Sequence, residues 1–356
     1  LNKMSGLIGY ENGGGTFVPG GSSGNFLAML AARHYRMPAV MNSGLFGVSP
    51  MTIFVSKDCH YSMIKSANQL GIGTDNIIKV DVDKAGKMVP DALDRAIQFS
   101  LNIGSTPFFV GATAGTTVRG CFDPIQEIAQ ICKKYNVWFH IDASWGGSVL
   151  LSKKHRNLMK GCYQSDSVTW CTHKAMAQPL MCTAILFKNP SILESLNDVA
   201  GTEYLFHNKD TKEPDLGKQS LQCGRRVDVL KFWLTWKYYG DSEYGKKIDH
   251  LFSMAKYAES MITKSKILNL ISDVNYLNIC FQIKPGGMNI NQVGIFTVAV
   301  RDELFKNGDA MVNYAEIDGR ICMRLVTVNF DLNTKHIDQL FSDIESNAYK
   351  LLTNYI

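Results

Sequence analysis

The sequence lacks any apolar run near the roughly 18 residues that a helix needs to cross a membrane. It also has no basic stretch followed by an apolar one at its start, which is the pattern of a secretory leader. We therefore expect neither a membrane span nor export. The chain begins with Leu1 rather than Met, and Leu1 to Tyr10 resembles the middle of an amphipathic helix, so we expect that an N-terminal segment is missing.

Charges are few and no run of like charge occurs. Charged residues make up 19% of the chain, and the formal net charge is +5 at pH 7. A nucleic-acid arm or a membrane-binding patch needs clustered basic residues. The sequence therefore predicts no nucleic-acid partner and no membrane partner.

Paired cysteines are absent as well. The nine cysteines include no C-x-x-C pair, and most lie in apolar segments. This pattern favours a reducing compartment over a disulfide framework, so we expect a cytoplasmic protein. Cys171 and His173 are spaced like half of a zinc site, but no second pair stands at ligand spacing, and we expect no metal.

Apolar residues are plentiful, at 46% of 356, which is enough for one large core and one smaller core. From about residue 50 to 190, short β-rich runs alternate with helical stretches such as Pro124 to Tyr135. The predicted strands are Met51–Ser56, Ile77–Asp83, Phe108–Thr113, Val137–Ala143, Ser167–Thr172 and Thr183–Lys188. This alternation predicts an α/β sheet, and runs that are apolar on both faces indicate helices on each side.

A second region follows the polar segment Asn208 to Gln219, which contains Pro214 and Gly217 and predicts an exposed loop. The predicted elements after it are a helix from about Val227 to Ile262, strands Leu277–Ile283 and Ile321–Val328, and a closing helix near His336–Leu352. We expect a large domain over residues 1–230 and a small C-terminal α+β domain over residues 231–356.

Two residues at predicted strand ends carry most of the chemical signal. Asp142 lies at the end of one strand, and Lys174 follows the strand Ser167–Thr172. Ligands of α/β sheets bind at the carboxyl ends of the strands, so both side chains are expected in one crevice. Singly, the aspartate is more often a helix cap and the lysine a surface cation. Together they combine an acid with an amine that can react with an aldehyde.

A Gly-Ser stretch and a histidine are expected at the same edge. Residues Gly13 to Asn25 open a predicted helix through Phe26 to Tyr35, and the hydroxyls of Ser22 and Ser23 lie at the positive end of its dipole, where a phosphate binds. The order of a nucleotide P-loop is absent, and alone such a stretch is a flexible turn. His60 can stack on a planar ligand there, although alone it would be a surface histidine.

Read together, these segments resemble the group II pyridoxal-phosphate decarboxylases, most closely the branch of the glutamate and cysteine sulfinate decarboxylases. The similarity extends over nearly the whole chain. Its segments are PGGSSGN from Pro19, DCHYS from Asp58, ATAGTTVRGCFDPI from Ala112, HIDASWGG from His140, THK ending at Lys174 and QCGRRVDVLKFWLTWK from Gln222. The resemblance implies the aspartate aminotransferase fold (fold type I), with a mostly parallel seven-stranded sheet, a small C-terminal domain and an obligate homodimer.

The resemblance also implies roles around the ring of the cofactor, pyridoxal 5'-phosphate. Lys174 would bind its aldehyde covalently, and Asp142 would pair with its pyridine nitrogen. His60 would stack on the ring and take part in catalysis, and Thr116 would lie beside the ring. Ser144 stands where the family has an alanine whose methyl group packs under the ring.

Further roles concern the phosphate and the substrate. The resemblance implies that Ser22, Ser23 and His173 hold the phosphate and that Cys223 reaches it from a neighbouring subunit. Arg324 matches the arginine of the small domain that binds the substrate carboxylate, a task that suits a bidentate guanidinium.

Two departures from the family pattern bear on the reaction. Cys171-Thr172 replaces the usual Asn-Pro, and the loop Asn208 to Gln219 contains no tyrosine, whereas a loop tyrosine is thought to protonate the carbanion in the glutamate branch. That proton would then come from His60 or water. The implied reaction is decarboxylation of a small acidic L-amino acid (glutamate, cysteine sulfinate or aspartate) to the amine and CO2.

Three alternatives remain open. The first is oxidative decarboxylation with deamination, which gives an aldehyde. The second is decarboxylation of another amino acid, either diaminobutyrate or an aromatic one. The third is not enzymatic: a chain that binds the cofactor weakly or serves as an assembly subunit.

Overall fold

The computed structural model describes residues 1–198 and 216–355. The helices are α1 Asn2–Ile8, α2 Gly21–Arg36, α3 Val40–Ser43, α4 Ser62–Gln69, α5 Pro90–Asn102, α6 Ile125–Tyr135, α7 Ser191–Asn197, α8 Asp228–Lys264, α9 Ile290–Asn307 and α10 Thr334–Tyr355. The strands are β1 Gly14–Val18, β2 Met51–Ser56, β3 Ile77–Val80, β4 Thr106–Thr113, β5 Trp138–Asp142, β6 Ser167–Cys171, β7 Thr183–Phe187, β8 Leu268–Leu270, β9 Asn278–Ile283, β10 Asn313–Ile317 and β11 Arg320–Val326. Within these ranges, no helix combines the length and the apolar character that crossing a membrane requires.

The first seven strands form one sheet in the order β1-β7-β6-β5-β4-β2-β3. Strands β3, β2, β4, β5 and β6 are parallel, whereas β7 is antiparallel to both of its neighbours, β6 and β1. Strand β1 therefore points the same way as β6, and β7 alone is reversed. The predicted mostly parallel seven-stranded sheet is confirmed. The chain segments that follow β1, β2, β4, β5 and β6 consequently meet at one edge of it.

Helices cover both faces of the sheet, as the two-sided apolar strands predict. Alternate residues of a strand point to opposite faces. Ile53 and Phe109 pack into the core beneath α2 and α4, while their neighbours Phe54 and Val110 pack into the core on the face of α5 and α6. Burial of such a side chain is worth about 1.5–3 kcal/mol. Continuous apolar runs therefore indicate these strands, because both of their faces are buried.

Strand β1 was not predicted, and the helix after it begins earlier than predicted. The sequence predicts a turn over Gly13 to Asn25 that opens a helix, yet Gly14–Val18 pairs antiparallel with β7. A Cβ atom on Gly15 would lie 1.9 Å from the carbonyl oxygen of Ile185, so glycine is required for this close approach. Helix α2 begins at Gly21 rather than near Phe26, which puts the Gly-Ser residues inside its first turn.

The C-terminal region forms its own antiparallel sheet in the order β10-β11-β9-β8, packed against α9, α10 and the end of α8. This is the predicted α+β arrangement. Helix α8 contains a non-helical residue at Gly240, with φ of 67°. Its Trp236 packs in the core of the large sheet and its Ile262 in the C-terminal core, so the helix connects the two. The domain boundary at residues 230 and 231 stays a prediction.

The predicted polar loop lies largely outside the described residues. Of Asn208 to Gln219, the structure describes Leu216–Gln219, which form a short 3-10 helix.

Candidate active site

A cavity of about 220 Å³ lies at the carboxyl edge of the large sheet. Five of the residues predicted from the sequence line it: Ser22, His60, Asp142, Ser144 and Lys174. They arrive from four different places in the chain, namely the start of α2 and the segments after β2, β5 and β6. The parallel direction of these strands explains why residues so distant in sequence share one cavity.

Asp142 is the last residue of β5 and is 4% exposed. Its carboxylate accepts hydrogen bonds from the Asn25 amide at 2.8 Å and from the Ser144 N–H at 3.0 Å. Burial acts to raise the pKa of Asp142, but the Ser144 hydrogen bond, the charge of Lys174 and the Asn25 amide outweigh it and lower the pKa below its usual value. The cavity therefore contains a buried carboxylate that stays ionised.

Lys174 follows β6 in a turn and is half-buried. Its ammonium charge acts on two other ionisable groups of the cavity, since it lowers the pKa of Asp142 and that of His60. The amine and the carboxylate thus act on each other electrostatically, at the spot where the sequence predicts them together.

His60 lies in the turn after β2. Its Nδ1 is 2.8 Å from the Ser62 hydroxyl and 3.2 Å from the Ser62 N–H. Burial lowers the pKa of His60, the Asp142 charge raises it, and the Lys174 charge lowers it further; the net direction is downward. The ring is therefore neutral at pH 7, and it lies at the cavity with no hydrogen bond to Nε2 from the residues that the structure describes.

Three predicted cofactor residues lie beside the cavity rather than on its lining. The Ser23 hydroxyl donates to the Pro19 carbonyl at 3.3 Å. The Thr116 hydroxyl lies 3.0 Å from the Cys121 thiol and accepts from the Cys121 N–H. His173 Nδ1 lies 3.0 Å from the Cys182 nitrogen, and burial lowers the pKa of His173. Their roles stay predictions.

Cys223 and Arg324 are farther out. Cys223 is exposed and lines a separate surface cavity of about 780 Å³ together with Phe17. Arg324, on β11, donates through Nη1 to the Thr117 carbonyl at 2.5 Å, and Thr117 lines the first cavity. The guanidinium makes no ion pair within the described ranges. Arg324 is thus a cation at the rim.

Sequence reasoning missed Asn25, Ser62 and Thr113. Asn25 is 1% exposed and connects Asp142 to the Ser62 hydroxyl, while Thr113 lines the cavity at the end of β4. All three lie inside recognised segments: Asn25 ends PGGSSGN, Ser62 ends DCHYS, and Thr113 is the second residue of ATAGTTVRGCFDPI. Their functions depend on contacts across the sheet, which a single segment does not reveal.

A family model described as "Pyridoxal-dependent decarboxylase conserved domain" matches residues 1–284. The chain belongs to this family. Its similarity to individual members extends beyond the matched region, to 97% of the chain.

Two curated relatives represent this similarity. The mouse (Mus musculus) protein named "Acidic amino acid decarboxylase GADL1" is 37% identical over 357 residues, which are 97% of this chain and 65% of that protein. The human (Homo sapiens) "Cysteine sulfinic acid decarboxylase" is 38% identical over 356 residues, which cover 97% of this chain and 72% of the relative. The chain therefore spans about two thirds of the length of these relatives.

Solved structures agree. The crystal structure of mouse CSAD superimposes with a TM-score of 0.92 at 36% identity, covering 98% of this chain and 74% of that one. The glutamate decarboxylase domain of a Vibrio parahaemolyticus protein, titled as a diaminobutyrate-pyruvate transaminase and L-2,4-diaminobutyrate decarboxylase, superimposes with a TM-score of 0.84 at 25% identity, covering 98% and 71%. The fold-type prediction is confirmed.

The cavity fits the pyridoxal phosphate that this family uses. Two buried hydroxyls on its lining, those of Ser144 and Thr113, have no nitrogen or oxygen partner in the described part of the chain, apart from a weak interaction between Ser144 and the Cys171 thiol. A Cβ atom on Gly21 would lie 2.5 Å from the Ser144 oxygen, so glycine leaves room at the start of α2. A buried hydroxyl without a hydrogen-bond partner destabilises the folded protein, so a ligand that forms hydrogen bonds with these hydroxyls would remove that free-energy cost.

Proposed function

We propose that this chain is the catalytic region of a pyridoxal-phosphate-dependent decarboxylase that converts a small acidic L-amino acid to the amine and CO2. Glutamate, cysteine sulfinate and aspartate are the substrates that we expect. The observation that carries the proposal is the meeting of Lys174 and an ionised Asp142 in one cavity of a chain that belongs to this family. The names of the relatives, acidic amino acid decarboxylase and cysteine sulfinic acid decarboxylase, support the substrate class.

The proposed roles follow from the chemistry of the lining. Lys174 is the amine that holds the cofactor through its aldehyde, and Asp142 supplies a fixed negative charge for the pyridine nitrogen. When bound, the cofactor supplies an electron sink for the electron pair that remains as CO2 leaves. Because Asp142 is buried and already held by two hydrogen bonds, it provides this stabilisation without reorganisation.

The phosphate would lie at the first turn of α2. The N-terminus of a helix offers free N–H groups and a positive dipole end, both of which favour an anion. Ser22 lines the cavity at this turn and adds a hydroxyl. Ser23 and His173 lie close in sequence to lining residues, and we propose that they complete the phosphate site.

Arg324 is the proposed site of the substrate carboxylate. It reaches the cavity rim through its hydrogen bond to Thr117, and its guanidinium has no competing carboxylate among the described residues. A bidentate pair with a carboxylate would orient the amino acid with respect to Lys174.

The test is a screen of amino acids for CO2 release by the purified, cofactor-loaded protein. We expect release from acidic amino acids, with one amine formed per CO2. Aldehyde and ammonia in place of the amine would favour the oxidative reaction, and release only from diaminobutyrate or aromatic amino acids would overturn the proposed substrate class.

Lys174→Ala provides the matched variant. We expect the wild-type protein to develop an absorption band near the visible edge when pyridoxal phosphate is added, because the aldehyde reacts with the lysine amine. The variant should show only the spectrum of the free cofactor and should release no CO2. Lys188→Ala, which changes a lysine after β7, should behave as the wild type. A wild-type protein without the band would favour the non-enzymatic alternative.

We also propose that the protein is a homodimer. The first turns of α8 carry exposed apolar side chains, which we call the α8 apolar face: Val229, Leu230, Trp233, Leu234 and Tyr238, between 40% and 82% exposed. Large exposed apolar patches mark association sites. Cys223 lines the cavity next to this face, as does Val229. This position is consistent with the proposed contact of Cys223 with the phosphate of a partner subunit.

A further inference from the structure

Asn25 lies in the first turns of α2 and is almost fully buried, at 1% exposed. Its side-chain amide makes three hydrogen bonds, which use both N–H donors and one of the two lone pairs of Oδ1. Nδ2 donates to Asp142 at 2.8 Å and to the Ser62 hydroxyl at 2.9 Å. Oδ1 lies 3.0 Å from Nε2 of His140. Asn25 thus connects the carboxylate of the cavity to two histidines.

The carboxylate decides which way this amide faces. An ionised carboxylate only accepts hydrogen bonds, so the NH2 group of Asn25 must point to Asp142, and Oδ1 must point to His140. His140 therefore carries its proton on Nε2. Its Nδ1 then accepts from the Ser167 hydroxyl at 2.8 Å, and that hydroxyl in turn accepts from the Trp138 indole N–H at 2.9 Å.

The neutral state of His140 agrees with this assignment. The ring is completely buried, and burial lowers the pKa of His140 to about 4 despite the opposing charge of Asp142. The Ser167 backbone also acts to raise this pKa, but burial outweighs both effects. A charged imidazole would donate from Nδ1 as well, so the Ser167 hydroxyl would have to turn its hydrogen away from the ring. The chain thus holds a neutral ring on one side of Asn25.

The other side of Asn25 leads to the cavity. The Ser62 hydroxyl accepts from Asn25, so its own hydrogen is free for Nδ1 of His60 at 2.8 Å. The Ser62 N–H points at the same nitrogen at 3.2 Å. With two donors directed at it, Nδ1 of His60 is unprotonated, and the proton of the neutral ring is on Nε2.

We propose that Asn25 is a positioning residue of the active site, which orients Asp142 and, through Ser62, fixes His60 in the tautomer that carries its proton on Nε2. Nε2 of His60 therefore offers a donor, rather than a lone pair, to whatever occupies the cavity. For an anionic ligand the difference is between attraction and repulsion. The meaning of this for catalysis rests on the proposed function, whereas the tautomer itself is a property of the protein.

The tautomers can be measured by NMR on protein labelled with 15N-histidine, with and without pyridoxal phosphate. Protonated and unprotonated ring nitrogens have well-separated shifts, and His60→Gln and His140→Gln assign the two rings among the eight histidines. In the wild type we expect both rings to carry the proton on Nε2. In Asn25→Leu, which has a similar volume and no amide, the Nδ1 and Nε2 shifts of His60 should move toward each other as the two tautomers mix.

Ser62→Ala separates the two arms of the network and remains informative where Asn25→Leu does not fold. It should mix the tautomers of His60 and leave those of His140 unchanged. Asn347→Leu is the matched control, because Asn347 is also buried and hydrogen-bonded to a carboxylate, that of Asp309, but lies in the C-terminal region. It should change neither histidine.

Two results would overturn the proposal: a wild-type His60 with its proton on Nδ1, or a His60 tautomer that is unchanged in Asn25→Leu or, where that variant does not fold, in Ser62→Ala. Neither depends on turnover. A protein with the expected tautomers that releases CO2 from no amino acid would refute the proposed function and leave the role of Asn25 intact.

Discussion

At the scale of single residues, the active-site cavity is surrounded by buried polar groups. His140 does not line the cavity, yet it is held by Asn25 and Ser167 and stacks on Phe109 with ring centroids 5.6 Å apart. Its protonation would break this arrangement. The acid stability of the protein therefore depends on a residue outside the proposed chemistry.

We expect His140 to contribute stability that disappears as the pH falls from 6.5 to about 4. The pKa of His140 is about 4 in the folded protein against an ordinary 6.5, so the unfolded chain binds the proton first as the solution becomes acidic. The contribution is on the order of 3 kcal/mol, present above pH 6.5 and lost toward pH 4. Urea unfolding at several pH values, compared between wild type and His140→Phe, measures it.

The effect of His140 must be measured as the difference in unfolding free energy between the two proteins, because Asp123 changes the stability with pH in the opposite direction. Burial raises the pKa of Asp123 to about 6, so the folded protein takes up that proton first and gains stability as the pH falls from 6. Asp123 is present in both proteins and cancels. The free energy of unfolding of the wild type minus that of His140→Phe should decrease as the pH falls toward 4. A difference that stays constant would contradict the expectation. His336→Phe, at an exposed position in α10, is the control.

Whether a residue of the site could be predicted from the sequence depends on whether its role follows from its own segment or from contacts with distant segments. Lys174, Asp142 and His60 could be predicted because strand ends of a parallel sheet meet at one edge. Ser22 was expected from its place at a helix start, and Ser144 followed only from the family resemblance. Asn25 could not, because its function is defined by residues 37, 115 and 117 positions away in the chain. A hydrogen-bond network across a sheet leaves no periodic signal in the sequence.

At the scale of elements, β1 is the strand of the large sheet that the sequence pattern does not predict. The other six strands of this sheet are apolar runs, which predict strands directly. β1 begins with two glycines and is a strand only because β7 pairs with it, and neither the pairing nor the strand order follows from local composition. Tertiary context decides such short strands.

We expect Gly15→Ala to destabilise the protein by more than about 2 kcal/mol, because the new methyl group would overlap the Ile185 carbonyl of β7. The turn that leads to Ser22 follows β1, so cofactor binding should weaken as well. Gly6→Ala is the matched control: this glycine of α1 has open space at the Cβ position, and the change should stabilise by up to about 1 kcal/mol. Both effects can be read from urea unfolding midpoints, and a Gly15→Ala protein as stable as the wild type would show that β1 shifts at no cost.

At the scale of the whole molecule, the α8 apolar face is the surface that we propose binds a second copy of the chain. We expect the wild type to sediment with twice the mass of one chain. Trp233→Glu should sediment as a monomer, because a carboxylate at a buried interface loses its hydration. Cofactor affinity should fall with the mass, since the proposed Cys223 contact comes from the partner.

Phe305→Glu is the control for this experiment. Phe305 is 56% exposed on α9, away from the α8 apolar face, so its replacement should leave the mass unchanged. A Trp233→Glu protein that keeps the mass and the cofactor affinity of the wild type would remove α8 from the interface.

The pairing of β1 with β7 also sets the order of events during synthesis. Gly14 finds its partner, Phe187, only after the whole segment between them has been synthesised. Contacts between such distant segments form late in folding. The start of α2, which follows β1, cannot reach its final position before then. Because the proposed phosphate site lies at the start of α2, we expect cofactor binding to follow the pairing of β1 with β7.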